Sequence, residues 1–228
     1  MGALAYDDLK AIVKLRLGSK TTWDDISGVD YHGVLVNQAY KQLTSAHRLP
    51  ILGKSFVFPQ LHVSTTDVTV AGNGYIAVPD FTLRVRHVYD ATSKNKLDWM
   101  PLSWYVSQTD RADSTSRGAP AKWTRDGNRI YLHPTPDAVY SLEVWYRRVV
   151  ENLDTGQATL IGAEWDDAII ALAAYKGHLW MGDYEKVKAD KDEYIDIVTG
   201  LIGVYNKEEM DRNEHILPDP DYLHPNGR

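Results

Sequence analysis

The chain has 228 residues, 43% of them apolar and 25% charged, with a formal net charge of -6 and no cysteine. That apolar share supports a buried core and excludes global disorder, while the lack of cysteine excludes disulfides and thiolate metal sites. An acidic balance also disfavours tight gripping of duplex DNA, which asks for a basic surplus.

The opening MGALAYDDLK carries no basic-then-apolar leader pattern, and no apolar run approaches the roughly 18 residues of a membrane span. A soluble protein made in a cytoplasm is expected. Leu9, Ile12, Val13 and Leu17 recur at three- and four-residue spacing and predict a helix over Tyr6–Leu17, with Asp7 and Asp8 at the positive end of its dipole. A second helix is predicted from about Val29 to His47, on the stripe Leu35, Ala39 and Leu43. Ser27 or Asp30 is placed to cap its start.

From Phe56 to about Val150 the texture turns to Val, Thr and Tyr broken by turn residues. His62–Ala71 alternates through Val63, Val68 and Val70, and Gly72-Asn73-Gly74 reads as a hairpin turn into Tyr75–Val78. Leu83–Tyr89 places Leu83, Val85, His87 and Tyr89 on one face and Arg84 with Arg86 on the other. Pro101–Ala112 predicts a short helix capped by Ser103, and Ser114–Gly118 a loop. Lys122–Thr124, Arg129–His133 and Tyr140–Val149 complete the strands, the first two joined by a tight turn at Asp126-Gly127 and the last two read as a hairpin across the Pro-rich turn HPTPD.

Beyond Gly162 the period returns to about 3.6. Trp165, Ile169, Leu172, Ala173 and Leu179 form one stripe, and Tyr184, Val187, Tyr194, Val198, Leu201 and Tyr205 another. After Asn206 the stripe fails, and three Pro among many charges read as an extended tail. The expected fold is α+β. Residues 1–54 and 151–205 form a helical bundle, an antiparallel β-sandwich or barrel over 55–150 is inserted with a short helix near 101–112, and 206–228 form the tail.

No chemistry is threaded through these elements. None of the eight His is spaced from another as a metal pair, and no cofactor is implied. Adjacent carboxylates at Asp24-Asp25, Asp166-Asp167 and Glu208-Glu209 diverge on a helix by about 100°, and Glu164, Asp166 and Asp167 suit a helix first turn. Ala71–Tyr75 (AGNGY) lacks the third glycine and following helix of a dinucleotide fingerprint. No nucleophile elbow, phosphate loop or kinase signature is present, so no catalytic residue is assigned. The richness in Trp and Tyr (7 and 14, against 3 Phe) suits interfaces as well as a β-rich core.

The order VNQAYKQL, VAGNGYIAVPDFTLRVRHVYD, PLSW, GAPAKW, DGNRIYLHPTPD, YSLEVWYRR and LIGAEWDDAIIALAAYKGHLWMGDYEKV resembles tailed-bacteriophage head-to-tail adaptor (connector) proteins over most of residues 30–200. The resemblance implies a structural virion protein, not an enzyme. It would be assembled in the host cytoplasm as a ring, usually of twelve copies, between the portal and the tail or nozzle protein. Double-stranded DNA would pass through it without tight binding, and no membrane is involved. In related systems a C-terminal segment inserts into the portal. Here that segment would be Glu214–His224, stiffened by Pro218 and Pro220 and anchored by Ile216, Leu217, Tyr222 and Leu223. Arg84, Arg86, Arg147 and Arg148 are candidates for pairing with acidic residues of a neighbouring subunit. A second class of function is a carbohydrate-binding β-sandwich module of a phage tail or secreted protein, with Trp99, Trp104, Trp123 and Trp145 as a stacking platform. An enzyme would need converging carboxylates or a metal site supplied by the fold.

Overall fold

A computed structural model describes residues 3–18, 29–45, 49–54, 56–109 and 116–214, with side chains of 109 and 206–214 excepted. Among the described residues the chain is mixed α+β, with five helices and two sheets. It divides into two compact units, one of residues 1–57 and 151–228, the other of residues 58–150.

In the first unit, α1 (Tyr6–Arg16) buries Tyr6, Leu9 and Val13, with Asp7 and Asp8 in its first turn and Lys14 and Arg16 in its last. Helix α2 (Tyr31–Ser45) is capped by Asp30, whose Oδ1 accepts the Gly33 N–H at 2.9 Å. The other candidate cap, Ser27, lies outside the described residues. Asp30 Oδ2 also takes the Lys10 ammonium of α1 at 3.0 Å.

Helix α4 (Asp166–Met181) departs from the expected single stripe. Every residue from Ala168 to Ala174 is buried, and α1, α2 and α5 all pack on it. A helix apolar on all sides must be surrounded. Leu179, placed in the stripe from sequence, is 47% exposed. Gly182, at φ +74°, ends α4 in a left-handed turn, where Asp183 N–H donates to the His178 carbonyl at 3.0 Å.

Helix α5 (Tyr184–Glu214) buries Asp190, Tyr194 and Val198, whereas Tyr184, expected on that face, is 75% exposed. It runs past Asn206, where the sequence reading began the tail. Residues 207–214 (KEEMDRNE) hold no Gly or Pro and several good helix formers, so the helix continues without an apolar stripe in its sequence. Arg16 forks onto Glu193 of α5 at 2.7 and 2.8 Å.

The chain returning into this unit is stitched to its first two helices. The Asn37 side chain donates to the Leu153 carbonyl at 3.2 Å and accepts the Leu153 N–H at 2.6 Å. Tyr40 OH accepts the Leu160 N–H at 3.0 Å. Asp166, buried, accepts Leu4 N–H at 2.7 Å and Thr159 Oγ1–H at 3.1 Å, and burial raises its pKa despite both bonds.

In the second unit β1 (His62–Val68), β7 (Ser141–Arg148) and β3 (Thr82–Asp90) form an antiparallel sheet in the order β1-β7-β3. The other sheet runs β2-β6-β5-β4, from β2 (Tyr75–Ala77), β6 (Arg129–His133), β5 (Lys122–Asp126) and β4 (Asp98–Trp99), the last pairing parallel to β5. One core joins the two sheets: Val85, Val88, Leu142 and Val144 from the first, Ile76, Trp123, Ile130 and Leu132 from the second.

This topology overturns two expected hairpins. Strands β6 and β7 do not pair, since β6 lies between β2 and β5, and β7 between β1 and β3. The turn HPTPD therefore carries the chain from one sheet to the other. The Gly72 turn does the same between β1 and β2, and its Gly72 N–H donates to the Pro136 carbonyl at 2.7 Å. Two alternating runs flanking a turn signal are compatible with either pairing or crossing, and the shared core decides. Gly127, at φ +54°, does make the tight β5–β6 turn.

The strand phases also shift. Val68 and Val70 are 55% and 61% exposed, and the inward positions there are filled by Thr65, Asp67 and Thr69. Register irregularities at Thr82/Arg84 and Val85/His87 put Val85 and Val88 on the buried side together, which a regular alternation forbids. The short helix is α3 (Leu102–Thr109). Ser103 lies inside its first turn, and the Pro101 carbonyl accepts the N–H groups of Trp104 and Tyr105 at 3.0 and 3.2 Å. The expected end of this helix and the first two residues of the loop at Ser114–Gly118 fall outside the described residues.

Candidate functional site

Strand β3 ends one sheet and β4 the other, and the chain between them turns tightly. Asp90 anchors that turn, its carboxylate accepting Thr92 N–H, Ser93 N–H and Ser93 Oγ–H at 2.9, 3.3 and 2.7 Å. The two edges flank an open groove of about 850 Å³. Its charged lining is Arg84, Arg86, Lys96 and Arg125, with Asp98 the one carboxylate and Trp99, 60% exposed, at its side. Among the described residues none of the four cations pairs with a carboxylate.

Arg125 reaches from β5 to the rim of β3, where its guanidinium donates to the Leu83 and Thr82 carbonyls at 3.3 and 3.5 Å. It thereby occupies part of the open β3 edge, a way of protecting such an edge from unwanted pairing. The concentrated positive charge leaves its mark on the imidazoles nearby. The His87 pKa is lowered by burial, then by Lys96 and Arg86. The His62 pKa is lowered by burial, then by Arg86 and Arg147. Arg86 Nη1 sits 3.5 Å from His62 Nδ1.

The four arginines singled out from sequence do not form one set. Arg84 and Arg86 line the groove. Arg147 stands opposite both His62 and Arg84 in register and is 94% buried, with its guanidinium pKa lowered by burial and by Arg86. Arg148, its chain neighbour, points to the other face of the sheet, stacks over Phe81 at 5.9 Å and lines a second hollow with Thr65 and Asp80. Lys96 and Arg125 were not picked out. Each is an ordinary exposed-strand or turn residue by pattern, and only the meeting of two sheet edges brings them together.

The four tryptophans do not share a platform. Trp123 is 4% exposed within the core, and Trp104 packs edge-on against His133 at 5.3 Å under the Lys122 ammonium at 4.5 Å. Only Trp99 and Trp145, at 60% and 40%, are substantially open. Of the carboxylate pairs, Asp166 is buried and Asp167 exposed, so the two diverge, while Asp24-Asp25 and the Glu208-Glu209 side chains lie outside the described residues. Among the described residues no group of three or more His, Asp or Glu could hold a metal, and no helix is long and apolar enough to cross a membrane. The tail residues Ile216, Leu217, Pro218, Pro220, Tyr222 and Leu223 also lie outside the described residues.

A family model described as SU10 adaptor protein matches residues 4–215. The chain belongs to the SU10 adaptor protein family. The match spans both units and all five helices, and it places the chain among phage adaptor proteins, structural proteins of the virion. No curated protein matches it.

Proposed function

We propose that the protein is the head-to-tail adaptor that forms a ring between the portal and the tail or nozzle protein, assembled in the host cytoplasm and extending the DNA channel. In this reading the helices of residues 1–54 and 151–214 make a bundle, and residues 55–150 an inserted β-sandwich. The observation that carries it is the family match across residues 4–215. The ring, of about twelve copies by the resemblance, would present an acidic channel wall that repels the DNA backbone, so the genome slides through it. Residues Glu214–His224 would dock in portal pockets, ordering only on contact, and of the four arginines the exposed Arg84 and Arg86 would serve subunit contacts, Arg147 being buried.

The test is electron microscopy of the purified chain mixed with portal rings. A ring of adaptor density stacked on the portal is the expected image. A monomer by light scattering that also leaves portal rings bare would sink the proposal. The carbohydrate-binding alternative is less favoured, because Trp123, one of the four tryptophans it needs, is buried in the core and Trp104 packs edge-on against His133.

A further inference from the structure

Charge is distributed unevenly between the two units. The helical unit holds 14 Lys and Arg against 22 Asp and Glu, a net of -8. The β unit holds 11 against 9, a net of +2. Four of its cations, Arg84, Arg86, Lys96 and Arg125, converge on the groove between β3 and β4 without a carboxylate partner among the described residues.

Such a groove is electrostatically incomplete. Like charges gathered along one cleft repel one another, and an anionic occupant would relieve that repulsion. Burial lowers the pKa values of His62 and His87, and the neighbouring cations lower them further. Arg84, Arg86 and Lys96 are exposed and reachable.

We infer that the groove between β3 and β4 of one copy receives the acidic helical unit of a second copy. This rests on the ring reading above and names the groove and the unit that meet in it. Three observations favour a second copy as the occupant. The opposite charge lies on the same chain, in the other unit, so every copy carries both halves of the contact. A contact between two unlike surfaces is heterologous, the type that repeats around a ring. Trp99 stands exposed beside the cations, and an aromatic flanked by arginine is the composition of a protein interface. Duplex DNA is the less favoured occupant, because the groove carries Asp98 on its wall and the whole chain is net negative.

The experiment uses the full chain, alone and with portal rings, by mass photometry over a salt series. Assembly is expected to weaken at least ten-fold as salt rises from low to several hundred millimolar. The double variant Arg84→Glu, Lys96→Glu is expected to lose at least ten-fold in assembly at low salt, and Arg84→Lys, Lys96→Arg to retain it. Circular dichroism checks that both variants fold. Carbodiimide coupling in a mixture of nitrogen-14 and nitrogen-15 chains is expected to join Lys96 to a carboxylate of residues 1–57 or 151–228 in mixed-isotope pairs.

Rings that tolerate the charge reversal, or Lys96 joined only to carboxylates of residues 58–150, would overturn the inference and leave the adaptor reading standing. Duplex DNA bound by the wild type and released by the reversal, with assembly untouched, would overturn it in favour of a nucleic-acid groove. A wild type that never assembles, even on portal, would remove the adaptor reading and this inference together.

Discussion

Two buried polar residues on α5 have opposite consequences. Tyr194 is fully buried, burial raises its phenol pKa strongly, and its hydroxyl has no hydrogen-bond partner among the described residues. An unsatisfied buried hydroxyl costs free energy, and the phenyl ring alone fills nearly the same space. Tyr194→Phe is therefore expected to raise stability by about 1 kcal/mol, read as a higher midpoint in urea unfolding. One turn earlier, Asp190 Oδ2 lies 2.5 Å from His178 Nδ1, and both residues are buried. Removing one partner strands the other. His178→Ala is expected to cost about 3 kcal/mol, read in the same experiment. The histidines of the β unit set its response to acid. His62, His87 and His133 all have pKa values lowered below the ordinary range, first by burial and then by neighbouring cations. Unfolded, they take up protons near pH 6.5, whereas the folded state resists them. Their stabilising effect is thus complete above that pH and is lost as pH falls through the lower folded values. Unfolding followed by Trp fluorescence should show a lower midpoint at pH 5.5 than at pH 7.5. An unchanged or higher midpoint would contradict the assigned burial.

At the scale of elements, close approach of helices is set by small residues. A Cβ on Gly177 of α4 would stand 2.7 Å from both Leu17 methyl carbons, and Leu17 is itself buried. Gly177→Ala gains helix propensity but forces the end of α1 outward. The net expectation is a loss of about 1–2 kcal/mol, visible as a lower melting temperature. A stabilised variant would mean that α1 moves freely there. Helix positions were readable because periodicity and capping are local. Asp30 caps α2 as its spacing implied, and Gly182 ends α4. The stripe on α4 misled because an amphipathic pattern is only a lower bound on burial. Alanines at 168, 171 and 174 look neutral in sequence and become core once α1, α2 and α5 surround them. The turn at Asp126-Gly127 pairs β5 with β6 as its sequence implies, whereas the other two expected hairpins fail, since alternation tells which residues share a face and nothing about which strand lies alongside.

At the scale of the whole molecule, the chain is a member of the SU10 adaptor protein family, and the proposed ring makes two kinds of contact that can be separated. If Glu214–His224 seats the ring on the portal, a chain ending after Asn213 should still form oligomers but bind portal rings at least ten-fold more weakly. Pull-down or surface binding to immobilised portal measures this, and unchanged affinity would assign portal contact elsewhere. Charge reversal at the groove should give the converse phenotype, weak assembly with the portal-docking segment intact. The two variants separate contacts within the ring from contacts beneath it.

The amino-acid order alone determined where helices and strands form, that a β-rich segment interrupts a helical one, and which family the motifs belong to. Those properties are written in local period, turn chemistry and motif order. The tertiary structure decided the rest: that β6 and β7 belong to different sheets, that Arg147 is buried while Arg148 faces away from it, and that Lys96 and Arg125 join Arg84 and Arg86 in one groove. Each of these depends on elements far apart in sequence meeting in space. No local pattern records such a meeting, because its free energy comes from a shared core and not from the propensity of any one segment.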